Sequence, residues 1–425
     1  MLNANSLRRL GRSITGLAAL LLLNAIPFAP DAQAASNGTL VVYTQEGADV
    51  AAARQTLTDS GCTILKEIPF SSGNFTIFHV KPNSGNVNAV VSMFAGRIDP
   101  NIASAEATIQ SKCSGFFSWP PRPTCTPNDP DYPSQYALTN MNWNDARCFM
   151  RLLGIGQRAY PRFTILDTGC NSIPTGDEMT NIQQFNFVGG LNGVPECNID
   201  SGIHGTAVAG VASVRTNNAT FLSGVASHNL PSRVTSCRCS NDGSTVQTID
   251  VLQAMTWCVD NQSLRGGPGI INISLNSIGL PSYNASPVFQ EIAKQARAKG
   301  DLFVNSSGND GFVDPSPELN MRRVMAFDED NNVASFSNTG PFKAGAPGVL
   351  VAAMDSPTSV AFGSGTSFAA PNWGGVAALI MSLNPRMTAP RADQIVYQTA
   401  DTTSQGNKLP NVKRAVIASL IWGWW

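Results

Sequence analysis

Apolar residues recur along this chain at two spacings, and the alternation between them sets out its elements. Residues 39–44, 64–68, 74–80 and 105–109 are short runs rich in apolar and β-branched side chains, which predicts strands. Residues 50–60 and 86–94 carry apolar side chains at helical spacing, the first ending at Gly61. The β-α-β-β-α-β order predicts a small ferredoxin-like α+β unit over residues 35–112. A Pro- and Cys-rich stretch follows at 112–133. From there the rhythm is strand, loop, helix, repeated. Strands are predicted at 162–166, 269–275 and 301–305, and helices at 204–214, 246–259, 287–299, 367–383, 389–398 and 412–420. Such alternation predicts a doubly wound α/β domain over residues 113–425, a mostly parallel sheet with helices on both faces.

The first 34 residues break this pattern. Arg8, Arg9 and Arg12 precede a nearly all-apolar run at 14–26, and Ala32-Gln33-Ala34 offers small residues for cleavage. The run is short of the ~20 apolar residues a span needs, so an exported, cleaved leader is expected rather than a stable membrane anchor. A net charge of −1 with scattered Lys and Arg excludes a nucleic-acid footprint. The nine cysteines fit an exported chain with structural disulfides. Cys62 stands apart, upstream of a plausible processing region, which leaves eight. Cys237-Arg238-Cys239 has the wrong spacing for a zinc knuckle.

Histidine limits the chemistry, because there are only three. His79 lies in a predicted strand of the first unit and reads as structural. His228 sits in a polar loop and reads as solvated. His204 stands in Gly202-Ile203-His204-Gly205-Thr206, at the start of a helix, where glycines permit a tight turn and a close approach. Asp167 ends an apolar strand and is followed by Thr168-Gly169, the place where open α/β sheets gather ligands. Ser367 opens a helix after Gly363-Ser364-Gly365-Thr366, with Pro371 expected in the first turn. A helix N-terminus offers free N–H groups to a developing oxyanion. Asn309 follows another apolar strand in Ser306-Ser307-Gly308-Asn309 and supplies a neutral amide donor. Each has an ordinary structural explanation alone; together they supply nucleophile, base, orienting carboxylate and oxyanion donor. The Gly-x-Ser-x-Gly elbow of lipases is absent around Ser367, since Ala369 holds its last position.

From about Asn128 onward these motifs resemble the subtilisin family, in the order Asp, His, Ser. Asp167-Thr168-Gly169, His204-Gly205-Thr206-Ala207-Val208-Ala209-Gly210, Gly308-Asn309 and Gly365-Thr366-Ser367-Phe368-Ala369-Ala370-Pro371 carry the resemblance. It implies a secreted serine endopeptidase and monomer that hydrolyses protein or peptide substrates through an acyl-enzyme, with Asp167, His204 and Ser367 as triad and Asn309 in the oxyanion hole. An extended substrate would pair with Ser274, Leu275 and Asn276, and Ser306, Ser307 and Gly308 would wall the first specificity pocket. The 35–112 unit resembles the family's propeptide, an inhibitor and folding chaperone, with autocleavage expected between Gln110 and Ser118. No cofactor is implied for the chemistry. Residues 216–220 partly resemble the family's structural calcium loop, with Asp177 as acidic partner. Asn276 replaces a common glycine. A narrow processing protease and an inert peptide-binding protein remain as alternatives.

Overall fold

The computed structural model describes residues 36–44, 48–70, 75–86, 89–90, 92–93, 102–109, 125–275 and 283–422. The leader, Cys113, the expected autocleavage region, Asn276 and the final residues 423–425 lie outside them. The chain divides into two compact units, Met1–Ser118 and Trp119–Trp425.

In the first unit, β1 (Ser36–Thr44), α1 (Val50–Asp59), β2 (Cys62–Phe70), β3 (Phe75–Pro82) and β4 (Ile102–Ile109) form an antiparallel sheet of order β2-β3-β1-β4. Four antiparallel strands in this order, with a helix after the first, agree with the ferredoxin-like unit expected; its second helix, expected at 86–94, lies only partly among the described residues. Asp49 caps α1 by accepting from the N–H groups of Ala51 and Ala52. Leu40, Val42, Ala53, Leu57, Phe78 and Val80 fill the space between helix and sheet.

The second unit is built on eight strands: β5 (Arg162–Asp167), β6 (Ile182–Asn186), β7 (Val194–Glu196), β8 (Arg233–Arg238), β9 (Ile270–Ile273), β10 (Leu302–Ser306), β11 (Arg322–Phe327) and β12 (Gly345–Pro347). Their order is β12-β11-β10-β9-β5-β8-β6-β7, parallel throughout except at the β6–β7 edge. The chain first builds outward from β5 on one side and then returns to lay β9 on the other. The carboxyl end of β5 is therefore a topological switch point, where such sheets open a crevice.

Period-two burial sends alternate side chains into two layers. Phe163, Ile165, Ile270, Leu302 and Val304 face one core, with α2 (Trp143–Leu152), α3 (His204–Ser213), α6 (Thr366–Leu383), α7 (Ala389–Thr399) and α8 (Val412–Trp422). Leu166, Ile271, Ile273 and Phe303 face the other, with α4 (Thr248–Asp260) and α5 (Pro287–Ala298). The fold class read from the sequence is the one found.

Candidate active site

Three elements converge at the switch point. Asp167 ends β5 and is fully buried. Its Oδ1 accepts from the Thr168 N–H at 2.8 Å and lies 2.7 Å from Nδ1 of His204. The imidazole is about one-third exposed, at 32%, so one face is held by the protein and the other is open. Asp167's charge and hydrogen bond, with Asp200 adding to them, hold the His204 imidazolium above its ordinary pKa despite burial.

Close approach explains Gly205. A Cβ there would meet the Gly169 carbonyl oxygen at 1.9 Å, so only glycine lets the start of α3 sit on the turn after Asp167. The turn into α3 is made by Ile203 at φ 64°, not by a glycine.

Asp200 is a functional-site residue that motif reading missed. Its Oδ1 accepts from the Thr168 hydroxyl at 2.6 Å, and its Oδ2 from the Thr206 N–H at 2.7 Å. The Thr206 hydroxyl also donates to Oδ2, and Thr168 Oγ1 in turn accepts the Gly205 N–H at 2.9 Å. One carboxylate thus ties the turn after Asp167 to the first residues of the histidine helix. The signal was present as an acid four residues before His204 with a threonine just inside the helix, but it reads as an ordinary polar loop.

Ser367 is the second residue of α6 rather than its first, so Pro371 falls in the second turn and not the first. A proline there has no N–H for the carbonyl four residues back, which is that of Ser367. Ser274 takes over: its hydroxyl donates to the Ser367 carbonyl at 2.8 Å, while the Ser367 hydroxyl donates to the Ser274 carbonyl at 3.2 Å. Asn272 Nδ2 donates to the Ser274 hydroxyl at 2.8 Å and fixes the exchange. The ring of Phe368, next in sequence, lies 6.4 Å from the His204 ring.

Asn309 is exposed and turned by Thr366. Both the N–H and the hydroxyl of Thr366 donate to Asn309 Oδ1, at 2.8 and 2.9 Å, which leaves Nδ2 as the donor end beside Ser367. Gly308 adopts φ +104°, and a Cβ on it would meet Asn338 Nδ2 at 2.3 Å. Asn338 accepts from the N–H groups of Asp310 and Phe312 and so frames this loop. Ser306, Ser307 and Gly308 are buried, and the Ser307 hydroxyl turns to the Asn338 carbonyl at 2.9 Å. Leu275 lies at the edge of the described residues beyond β9.

Two sequence readings are corrected. His228 is buried rather than solvated: Gln157 Oε1 accepts the N–H groups of His228, Asn229 and Leu230 and folds their loop inward. Burial, with Arg147 nearby, lowers its pKa to about 4. Asp177 is mostly exposed and faces Arg215 at 3.4 Å; the buried carboxylates against the 216–222 loop are Glu178 and Asp129, the latter accepting the Asn217 and Asn218 N–H groups. Glu178 accepts from Asn218 Nδ2 and the Leu222 N–H, and burial raises its pKa to about 8.

Residues 164–415 match the model of the Subtilase family, Peptidase_S8, which is more than half of the chain. The chain belongs to the subtilase family. It is 27% identical over 372 residues to a thermophilic serine proteinase of Bacillus sp. (strain AK1), covering 86% of this chain and 83% of that one. Alkaline elastase YaB of Bacillus sp. (strain YaB) is 33% identical over 264 residues, 60% of this chain and 64% of its own. A protease structure from Pseudoalteromonas arctica shares the fold with TM-score 0.56 at 24% identity, over 69% of this chain and 99% of that one. This subtilase is accordingly a serine endopeptidase, a hydrolase of protein substrates that needs no cofactor for its chemistry. Among the described residues, no helix is long and apolar enough to cross a membrane.

Proposed function

We propose that this subtilase is a secreted endopeptidase, made as a self-processing precursor, in which Asp167, His204 and Ser367 are the catalytic triad. The observation that carries the proposal is the 2.7 Å hydrogen bond between a fully buried carboxylate and a one-third-exposed imidazole, at the switch point of the sheet. His204 Nε2 takes the proton of Ser367 Oγ as that oxygen adds to the scissile carbonyl carbon. Asn309 Nδ2 and the Ser367 N–H, left without a helical partner at the opening of α6, hold the oxyanion. Collapse breaks the C–N bond, and His204 passes its proton to the leaving amine. Water repeats the sequence on the acyl-enzyme and releases the acid.

In the free protein the Ser367 hydroxyl rests on the Ser274 carbonyl. An extended substrate adding as a strand along Ser274, Leu275 and Asn276 takes that carbonyl with its own N–H and frees the hydroxyl for His204. Ser306, Ser307 and Gly308 then wall the pocket for the side chain before the scissile bond. The 35–112 unit acts as inhibitor and folding aid until autocleavage removes it, and the mature enzyme works as a monomer outside the cell.

The test is a serine-directed sulfonyl fluoride applied to protein recovered from the culture medium. Loss of hydrolysis of a dye-labelled protein, with the adduct mass on the Ser367 peptide and a chain lacking the first ~110 residues, is the expected result. An adduct elsewhere, or full activity with Ser367 labelled, overturns the assignment. Asn309→Leu is expected to lower kcat about 10²–10³-fold with KM little changed, since its donor acts on the oxyanion and not on the ground state. Steady-state kinetics on one peptide substrate decides this.

A structural cation is a secondary proposal. Glu178 is a buried carboxylate, and the Asn218 amide group is held between its Oε2 and the Gly176 carbonyl. Turned about, that amide would add its own oxygen to theirs, a hard-oxygen set suited to calcium. Glu178 and Asn218 would hold the ion, which would brace the loop and supply no chemistry. Chelation is expected to lower Tm by several degrees, and calcium to restore it; a Tm indifferent to both removes calcium from the account.

A further inference from the structure

We propose that Cys237 and Cys258 form a disulfide in the mature protein, stapling the strand beside Asp167 to the helix that covers it. This rests on the export reading above for its oxidising compartment, but the pairing rests on geometry. Both thiols are completely buried, and their sulfurs lie 3.6 Å apart. Bond formation closes that gap to about 2.05 Å, a movement within reach of side-chain rotation. Cys237 lies in β8 with Leu166 and Phe185 as register partners on either side, so its backbone is held by both neighbours. Cys258 lies in the last turn of α4, where its carbonyl accepts twice from Arg265, at 3.0 and 2.7 Å. Arg265 is anchored in turn by Asp301 at 2.7 Å. Neither end drifts.

Cys239, just past the end of β8, is the obvious competitor. Its thiol is spent on the carbonyls of Cys237 and Asp250. Asp250 and Cys258 are eight residues apart on α4, about 12 Å along the axis. Cys239 therefore sits nearer the start of α4 than Cys258 does. Cys148 is also engaged elsewhere, hydrogen-bonded to Cys125.

The bond forms before α4 seals over β8, because buried thiols are poor nucleophiles; burial and the neighbouring sulfur drive the Cys237 pKa well up. The oxidant is a small or protein disulfide, such as oxidised glutathione. The Cys237 thiolate attacks it, giving a mixed disulfide and one donor thiolate. The Cys258 thiolate then attacks Cys237 sulfur and releases the second donor thiolate. The protein loses two hydrogens, and the donor disulfide gains two electrons and two protons. The consequence reaches the active site, since the Cys239 N–H, just past the stapled strand, donates to the Asp167 carbonyl at 2.8 Å.

The test is peptide mapping of protein from the medium, denatured in iodoacetamide without reductant. A 237–258 linked pair, two mass units below the sum of its peptides and separated by dithiothreitol, is expected. Both cysteines alkylated, or Cys237 linked to another cysteine, overturns the proposal. Refolding the Ser367→Ala chain in oxidised and reduced glutathione separates the two premises. A linked pair there but not in the medium sample breaks the mature-state claim, and absence of the chain from the medium breaks the export premise. Alkylated thiols in both samples break the pairing itself. In the linked protein, dithiothreitol is expected to lower Tm by about 5–10 °C, and the Cys237→Ala/Cys258→Ala double variant to show no such fall.

Discussion

Replacing Ser367 by alanine is expected to reduce kcat about 10⁶-fold, the scale known for removal of the nucleophile in subtilisin. The protein nevertheless stays folded, for a stated reason. Ser367 is nearly buried, but its hydroxyl makes only the 3.2 Å bond to the Ser274 carbonyl, at the open edge of the crevice. The bond that matters structurally is the other half of the exchange, from the Ser274 hydroxyl to the Ser367 carbonyl, and alanine keeps that carbonyl. The cost is one weak neutral hydrogen bond, about 1 kcal/mol, against a catalytic loss near 8 kcal/mol. Circular dichroism and Tm should be close to wild type while hydrolysis disappears. The variant should also keep its first unit, because nothing remains to cut it. A variant that retained more than about 1% activity after removal of contaminating protease would require another nucleophile.

The parts of this molecule that were legible in the sequence share one property: their physics is local. Asp167, His204, Ser367 and Asn309 each sit where an apolar run meets glycines, which gives each proposed site residue a rigid element on one side and a tight turn on the other. The strands that motif and pattern reading missed depend on distant partners. β8 carries Thr235, Ser236 and Arg238 yet is buried beyond its first residue. Arg238 is admitted to the sheet only because Glu196, 42 residues earlier, meets it at 2.6 Å. β11 begins with two arginines, which strand patterning rejects. Arg322 is paired with Asp393 at 2.7 Å and with Glu318 at 2.6 Å, and Arg323 with Asp314 at 2.6 Å. Such pairs restore the hydrogen bonds that burial removes. His228 failed the same way, since Gln157 draws its loop inward from 71 residues away. Asp200 is different: it is local to His204, but its role appears only when Thr168 is brought against it.

The second large effect is at Asp167. Asp167→Asn is expected to lower kcat/KM about 10⁴-fold at neutral pH, because an amide can present its N–H₂ to Nδ1 and hold the wrong tautomer. The pH dependence separates this from simple misfolding. In the wild type the charge of Asp167 raises the His204 pKa above its ordinary value, and only neutral His204 accepts a proton. Activity is therefore full at pH above that raised pKa and is lost as pH falls through it. Removing the charge lowers the pKa, so the acid limb of the variant's kcat/KM profile moves to lower pH. Asp200→Asn is the informative contrast. Asp200 contributes less to the same rise and does not touch the imidazole. It should shift the limb in the same direction by less and reduce kcat/KM far less than Asp167→Asn does. Some of that loss comes from Thr206, whose N–H and hydroxyl both donate to one Asp200 oxygen. A limb that stays in place in both variants, with activity merely lower, would mean that His204 is tuned by something other than these two carboxylates.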